Sequence, residues 1–219
     1  MLSDQQAKTM LTLQSAMNAK VDPNWVASRY PYLRAVLIEA AEAIEHHGWK
    51  WWKKQEKDLP QLQMELIDIW HFLLSQILLN EGGSETAALL KLNEQLGALE
   101  DSNHVNFDGK SYNLGTMGLL EQIELLIGIS AARRIELSVF ASIMSNCQMC
   151  WTDLYCQYVG KNVLNFFRQD HGYKDGSYQK MWNGREDNEY LVEVMADLDS
   201  SDAEYEEKLY SALSNHYPN

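Results

Sequence analysis

The chain has 219 residues, 46% of them hydrophobic, with 12 glycines, 4 prolines and a formal net charge of −13. That composition suits one domain with a sizeable core and excludes a disordered or collagen-like chain. The acidic balance argues against a nucleic-acid partner, because phosphate backbones need a basic footprint. A small anionic ligand remains open, provided divalent cations and a few well-placed basic residues bridge it to the carboxylates. No N-terminal stretch reads as a secretory signal, and no run of about 18 uninterrupted apolar residues occurs. A soluble protein with a cytoplasmic location and no membrane span is therefore expected.

Helical periodicity dominates and convincing alternating strands are absent, which predicts an all-α helical bundle. One domain is expected, with its core over about 1–182 and an acidic helical tail over 183–219. A first helix is predicted from Ser3 to Ala19, opened by a capping-box pattern at Ser3 and Gln6 and broken by Asp22-Pro23-Asn24. A second begins near Pro31, carries the stripe Leu33, Val36, Leu37, Ala40, Ala41 and Ile44, and stops at Gly48. Asp58 and Pro60 open a third, with Leu62, Leu66, Ile69, Leu73 and Ile77 on its apolar side and Gly82-Gly83 at its end. A fourth covers about Ser84 to Leu99. The stretch Asp101 to Thr116, rich in Asn, Asp and Gly, reads as a loop.

Two helices are predicted next, over about Met117 to Ala132 and Ile135 to Tyr158. After Gly160 a shorter helix runs through Gln169, followed by a loop from His171 to Ser177. The acidic stretch Glu186 to Tyr217 should hold one or two amphipathic helices. Cys147, Cys150 and Cys156 fall within the predicted helix, at spacings that keep them near one stripe. No second pair or nearby histidine completes a metal site, so they read as buried reduced thiols rather than a zinc or redox pair.

The residues that carry chemistry fall in two regions. The second helix holds Glu39-x-x-Glu42 and the third Glu65-x-x-Asp68. A spacing of three puts both carboxylates of each pair on one face. Each pair can lie on a solvated face, as amphipathic helices commonly arrange. Yet both are set among apolar residues, where uncompensated acids are costly to bury. Antiparallel packing would make all four converge, and such an oxygen cluster suits Mg²⁺ or Mn²⁺. Between the pairs, Gly48-Trp49-Lys50-Trp51-Trp52-Lys53-Lys54 offers rings for stacking on a base and cations for phosphates. The same tryptophans can instead anchor the turn in the core while the lysines snorkel.

In the second region, Lys161, Asn165 and Arg168 share one helical face, and Tyr173 and Lys180 can fold back beside them. So many donors in an acidic chain form an anion grip or a solvated basic face.

Together these regions resemble the dimeric dUTPases, a branch of the all-α NTP pyrophosphatase superfamily that includes the MazG-like enzymes. Glu39/Glu42, the Trp49-to-Lys53 turn and Glu65/Asp68 are similar to that family's first metal-binding half. Lys161, Asn165, Arg168, Tyr173 and Lys180 follow the order and spacing of its late substrate-binding motif. Leu13-Gln14-Ser15-Ala16-Met17-Asn18 resembles its base-contact segment, so the resemblance spans about residues 8 to 182. It implies a homodimeric pyrophosphatase, dependent on Mg²⁺ with Mn²⁺ as substitute, that converts dUTP and dUDP to dUMP by attack of water at the β-phosphorus.

Carried over residue by residue, the resemblance assigns the metal to Glu39, Glu42, Glu65 and Asp68, with Glu42 orienting and deprotonating the water. Lys161, Arg168, Tyr173 and Lys180 would grip phosphates, and Gln14, Asn18 and Asn165 would address uracil and deoxyribose. Trp49 or Trp52 would wall the base pocket, with Lys53 beside them. A broader MazG-like hydrolase of NTPs or dCTP would use the same carboxylates. A non-catalytic helical interaction protein would leave the paired acids without a purpose.

Overall fold

The computed structural model describes residues 1–101, 103–199, 202 and 204–218. Ser102 in the expected loop, Ser200, Ser201 and Ala203 in the expected tail, and Asn219 lie outside the described residues. The helices are α1 (Asp4–Val21), α2 (Trp25–Ser28), α3 (Tyr32–His47), α4 (Leu59–Asn80), α5 (Glu85–Gly97), α6 (Leu119–Ala131), α7 (Leu137–Asn146), α8 (Trp151–Asp170), α9 (Asp187–Asp197) and α10 (Tyr205–His216). Strands β1 (His104–Phe107) and β2 (Lys110–Asn113) pair antiparallel, as do β3 (Met181–Trp182) and β4 (Arg185–Glu186). The fold is all-α, as the periodicity predicts.

Local signals set the ends of the central helices. The Ser3 hydroxyl accepts from the Gln6 amide while the Gln6 side chain accepts from the Ser3 amide, closing the expected capping box. Gly48 ends α3 at φ +82°, a backbone state that suits glycine. Asp58 caps α4 by accepting from the Gln61 amide, and Pro60 sits harmlessly in the first turn.

Helix α4 is apolar on nearly every side. By length and composition it could cross a membrane, but 78% of the relevant stretch is buried inside the bundle. α3 packs along it and α6 packs on α3, while α1 lies against α4, α5 and α8. Trp70 at the centre is fully buried, stacks on Phe140 at 5.1 Å and meets Trp151 edge-on at 5.7 Å. α9 and α10 close over α8.

Four sequence expectations are corrected. The loop expected over 101–116 contains the β1–β2 hairpin, whose Asp108-Gly109 turn has φ +50° and +72°. An Asp-Gly pair with both φ values positive matches the twist of a two-residue hairpin. The helix expected over 135–158 is two helices, divided where Gln148 adopts φ +57°. Cys147 caps the end of α7 and Cys150 the start of α8, so the cysteines share no single helical stripe. Only Cys147 is buried. Gly160 breaks nothing: it lies inside α8, where a Cβ would come within 2.3 Å of the Met195 sulfur on α9. The glycine provides close helix approach.

Candidate active site

The packing of α1, α3, α4 and α8 leaves a cleft of about 920 Å³. Its lining includes Glu39, Glu42, Glu65, Asp68, Gln14, Asn18, Lys161, Asn165, Arg168, Tyr173 and Lys180. The acidic pairs and the late donor group, nearly a hundred residues apart in sequence, thus share one cavity.

The acids converge because α3 and α4 run antiparallel. His46 Nε2 near the end of α3 lies 3.4 Å from Glu65 Oε1 near the start of α4, while Glu39, earlier on α3, feels the charge of Asp68, later on α4. Glu39, Glu42 and Glu65 each offer an oxygen within 4.8 Å of the other two. Burial, followed by the charges of Asp68, Glu65 and Glu42, pushes the Glu39 carboxyl up to about 8. Burial and the charges of Asp68 and Glu42 raise Glu65 to about 7, although Lys161 opposes the shift. Acids held this close resist ionisation unless a cation joins them. The oxygen-only donor set suits a hard divalent ion, so the residues fit a metal. Asp68 stands slightly apart, accepting from Lys161 Nζ at 3.0 Å.

The opposite wall comes from α8 and the start of α9. Lys161 is 2% exposed and also donates to Asn188 Oδ1 at 3.1 Å. Arg168 makes a two-pronged pair with Asp187, Nε to Oδ2 and Nη2 to Oδ1, both at 2.8 Å. Its Nη1 donates to Asn165 Oδ1 at 3.2 Å. Tyr178 adds a hydroxyl to Asp187 Oδ2 at 2.8 Å. Burial opposes ionisation of Asp187, but the hydrogen bonds and charge of Arg168 outweigh it and hold the carboxyl below its ordinary range. The aspartate aims the guanidinium, which also lies over the Tyr173 ring at 5.9 Å. Lys180 lies 3.4 Å from Glu186 at the mouth.

At the inner end, Gln14 is tied at both ends of its amide. Its Nε2 donates to Asn18 Oδ1 at 3.1 Å, and its Oε1 receives the Tyr158 hydroxyl at 2.9 Å.

Trp49, Trp52 and Lys53 do not line the cleft. Nor do the tryptophans anchor the turn in the core: Trp51 is 87% exposed, and Trp52 meets Trp49 and Trp51 edge-on. The turn after Gly48 carries these rings outward, with Trp49 Nε1 donating to Glu45 at 2.7 Å.

Several residues of the cleft network have no counterpart in the sequence reading. His46, His71 and Asn188 line the cavity, while Asp187, Tyr178 and Tyr158 hold its side chains in place. His71 carries a legible signal, standing three residues after Asp68 on one helix. Asp187 carries none, lying among the many acids of the tail.

A family model described as dUTPase matches residues 6–173. The chain belongs to this family, the dimeric all-α dUTPases. Comparison with curated proteins finds no match. Family membership makes the chain a dUTP diphosphatase, a hydrolase of nucleotide metabolism, and the reading as a non-catalytic interaction protein falls. Enzymes of this family are generally metal-dependent, in keeping with the glutamate cluster. The match ends at Tyr173, so Lys180 and Asn188 line the cleft from beyond it, and Asp187 braces Arg168 from there.

Proposed function

We propose that the enzyme hydrolyses dUTP and dUDP to dUMP, with Mg²⁺ held by Glu39, Glu42, Glu65 and Asp68. One observation carries this reading: a single cleft has carboxylates on one wall and Lys161, Asn165 and Arg168 facing them from another helix. A cation-charged wall and a donor wall together suit a chain of phosphates, whose reaction needs charge neutralisation and an in-line water. When bound, Mg²⁺ or its substitute Mn²⁺ would neutralise phosphate oxygens and acidify water.

The protein's own side chains divide the remaining work. Glu42, the most exposed of the clustered glutamates, takes the proton of the attacking water. The water oxygen bonds to the β-phosphorus, and the bond from that phosphorus to the α,β-bridging oxygen breaks. The bridging oxygen leaves with dUMP. Lys161, Arg168, Tyr173 and Lys180 hold the outer oxygens, so dUDP is also accepted. Asn165 positions the deoxyribose from the same face of α8. We further propose that the chain is one domain and acts as a cytoplasmic homodimer on small nucleotides, without nucleic acid or membrane. Family likeness supports the dimer.

The test is a nucleotide panel run with and without Mg²⁺ in ¹⁸O-labelled water. Label is expected in pyrophosphate from dUTP and in orthophosphate from dUDP, with activity lost on chelation and restored by Mg²⁺. In Glu42→Gln, turnover should fall by orders of magnitude while the fold survives. Label in dUMP would overturn attack at the β-phosphorus, and near-parental turnover in Glu42→Gln would remove that residue from its role.

A further inference from the structure

The tail beyond the family match carries one side chain that reaches the back of the cleft's donor wall. On α10, Tyr205, Leu209 and Leu213 recur at a spacing of four and are buried, which turns one stripe of the helix toward α8. Tyr217 follows at the same spacing just past the last turn, with its amide donating to the Leu213 carbonyl at 3.1 Å. Its ring enters an aromatic cluster, edge-on to Phe167 at 5.3 Å and to Trp182 at 5.5 Å, and 4.8 Å from His171.

Two contacts of Tyr217 lead onward to the cleft. The ring stacks on Tyr178 at 5.4 Å with an interplanar angle of 12°, and the hydroxyl accepts from the Gln179 amide at 3.2 Å. Tyr178 donates its own hydroxyl to Asp187, which holds the Arg168 guanidinium by two bonds. Gln179 precedes Lys180, which lines the cleft. Residues 177–180 belong to no helix or strand, so their placement depends on individual contacts such as these.

We propose that Tyr217 is a positioning residue for the donor wall, seating Tyr178 against Asp187 through its ring and Lys180 through the Gln179 amide. This rests on the reading of Lys161, Arg168, Tyr173 and Lys180 as the phosphate grip. Tyr217 does not line the cleft, so it acts on substrate only through its neighbours. Stacked aromatic rings hold one another in preferred planes as well as burying area. Without the Tyr217 ring, Tyr178 is free to swing, and one of the three hydrogen bonds on Asp187 weakens. Arg168 is then held less firmly where phosphate oxygens would sit. The clustered carboxylates stand on α3 and α4, on the opposite wall, so binding should suffer while the chemical step is spared.

The test is steady-state kinetics on dUTP with Mg²⁺ saturating, well below the melting temperature of each variant. In Tyr217→Ala, KM should rise about fivefold or more with kcat within about twofold of the parent, because only positioning is lost. Tyr217→Phe keeps the stacked ring and should restore most of that loss. In a Tyr178→Phe background, which lacks the hydroxyl on Asp187, Tyr217→Ala should raise KM by less than it does in the parent, since both changes act on one hydrogen bond. Parental KM in Tyr217→Ala, or a fall in kcat alone, would overturn the proposal. Independent effects in the double variant would overturn the route through Tyr178, and a Tyr217→Phe as impaired as Tyr217→Ala would overturn the role of the ring. Should Tyr217→Ala fail to fold, Tyr217→Leu fills apolar space without a flat face and is judged by the same outcomes. Lys180 is largely exposed and can be changed without harm to the fold. Parental KM in Lys180→Ala would defeat the reading of the phosphate grip instead, whatever Tyr217 does.

Discussion

The Arg168–Asp187 pair is the firmest link between the stability of this bundle and its activity. Asp187 is fully buried at the start of α9 and receives three hydrogen bonds at 2.8 Å, two from Arg168 and one from Tyr178. Asp187→Asn preserves volume but removes the charge. One of the two acceptor atoms becomes an N–H₂ group, facing either a guanidinium or a hydroxyl. A single charge-assisted hydrogen bond contributes about 1.5–3 kcal/mol. Removing one partner of a buried ion pair costs about 3–5 kcal/mol, because the other charge is stranded. Arg168 is nearly as buried as its partner, so little solvent is at hand to rescue it.

The expected loss of stability is therefore about 3–5 kcal/mol, or a melting temperature lower by roughly 6–20 °C for a chain of this size. Urea unfolding should show the same loss as a lower midpoint with an unchanged slope. Arg168 no longer held toward the cleft should bind phosphates less well, so KM for dUTP should rise about tenfold or more in a variant assayed below its melting temperature. An Asp187→Asn protein that melts within ~1 °C of the parent, with unchanged KM, would refute the claim that this pair orients the cation.

Two further outcomes follow from the packing and from one buried ring. Gly160→Ala would stabilise an exposed helix by about 1 kcal/mol, but the Met195 sulfur lies 2.3 Å from the new carbon. The variant should therefore lose about 1–3 kcal/mol by urea unfolding, with Met195→Ala restoring part of it; a net gain would refute the close approach of α8 and α9. His71 has its pKa lowered to about 3 from 6.5 by burial, with Asp68 opposing and Lys161 adding to the shift. The unfolded chain binds that proton first, so this stability is complete above pH 6.5 and lost as pH falls toward 3. Between pH 7 and 5 the loss is about 2 kcal/mol, and His71→Phe should lack this component of the slope; equal slopes would refute it.

How much was legible depended on whether the signal was local. The capping box at Ser3, the Gly48 stop and the Asp58–Pro60 start are set by neighbouring residues, and the structure has them where the sequence places them. The two acidic pairs were legible because two such pairs on consecutive, strongly apolar helices are costly to bury without compensation. The Asp108-Gly109 turn was equally local, yet a hairpin of four-residue strands is too short for alternation to stand out. Gly160 misled because the same residue serves as a helix stop and as a site of close approach, and only Met195, 35 positions later, distinguishes the two. Asp187 was invisible for a different reason. Its burial depends on α9 folding back onto α8, a long-range contact without a pattern in the tail. The exposed tryptophans mark the opposite case, since composition suited core burial and the turn instead carries the rings outward, away from the cleft lining.

The site explains why the bundle tolerates groups that weaken it. Glu39 and Glu65, with pKa values raised to about 8 and 7, are ionised at neutral pH only against burial and mutual repulsion. Asn18 Nδ2 and His71 Nε2 lie buried without partners among the described residues. Each such group costs on the order of 1–3 kcal/mol, a large fraction of the net stability of a domain. These four groups all face one cleft. Trp70, Phe140 and Leu66 in the surrounding core are sealed in apolar contact, and Arg168 is paired with Asp187. Strain concentrated in a single cavity is relieved by whatever supplies cations to the acids and a polar edge to the inner amide and imidazole. On the proposed reading a magnesium-bound deoxyuridine nucleotide would do both at once, so binding of metal and of base should each raise the stability of the same helices.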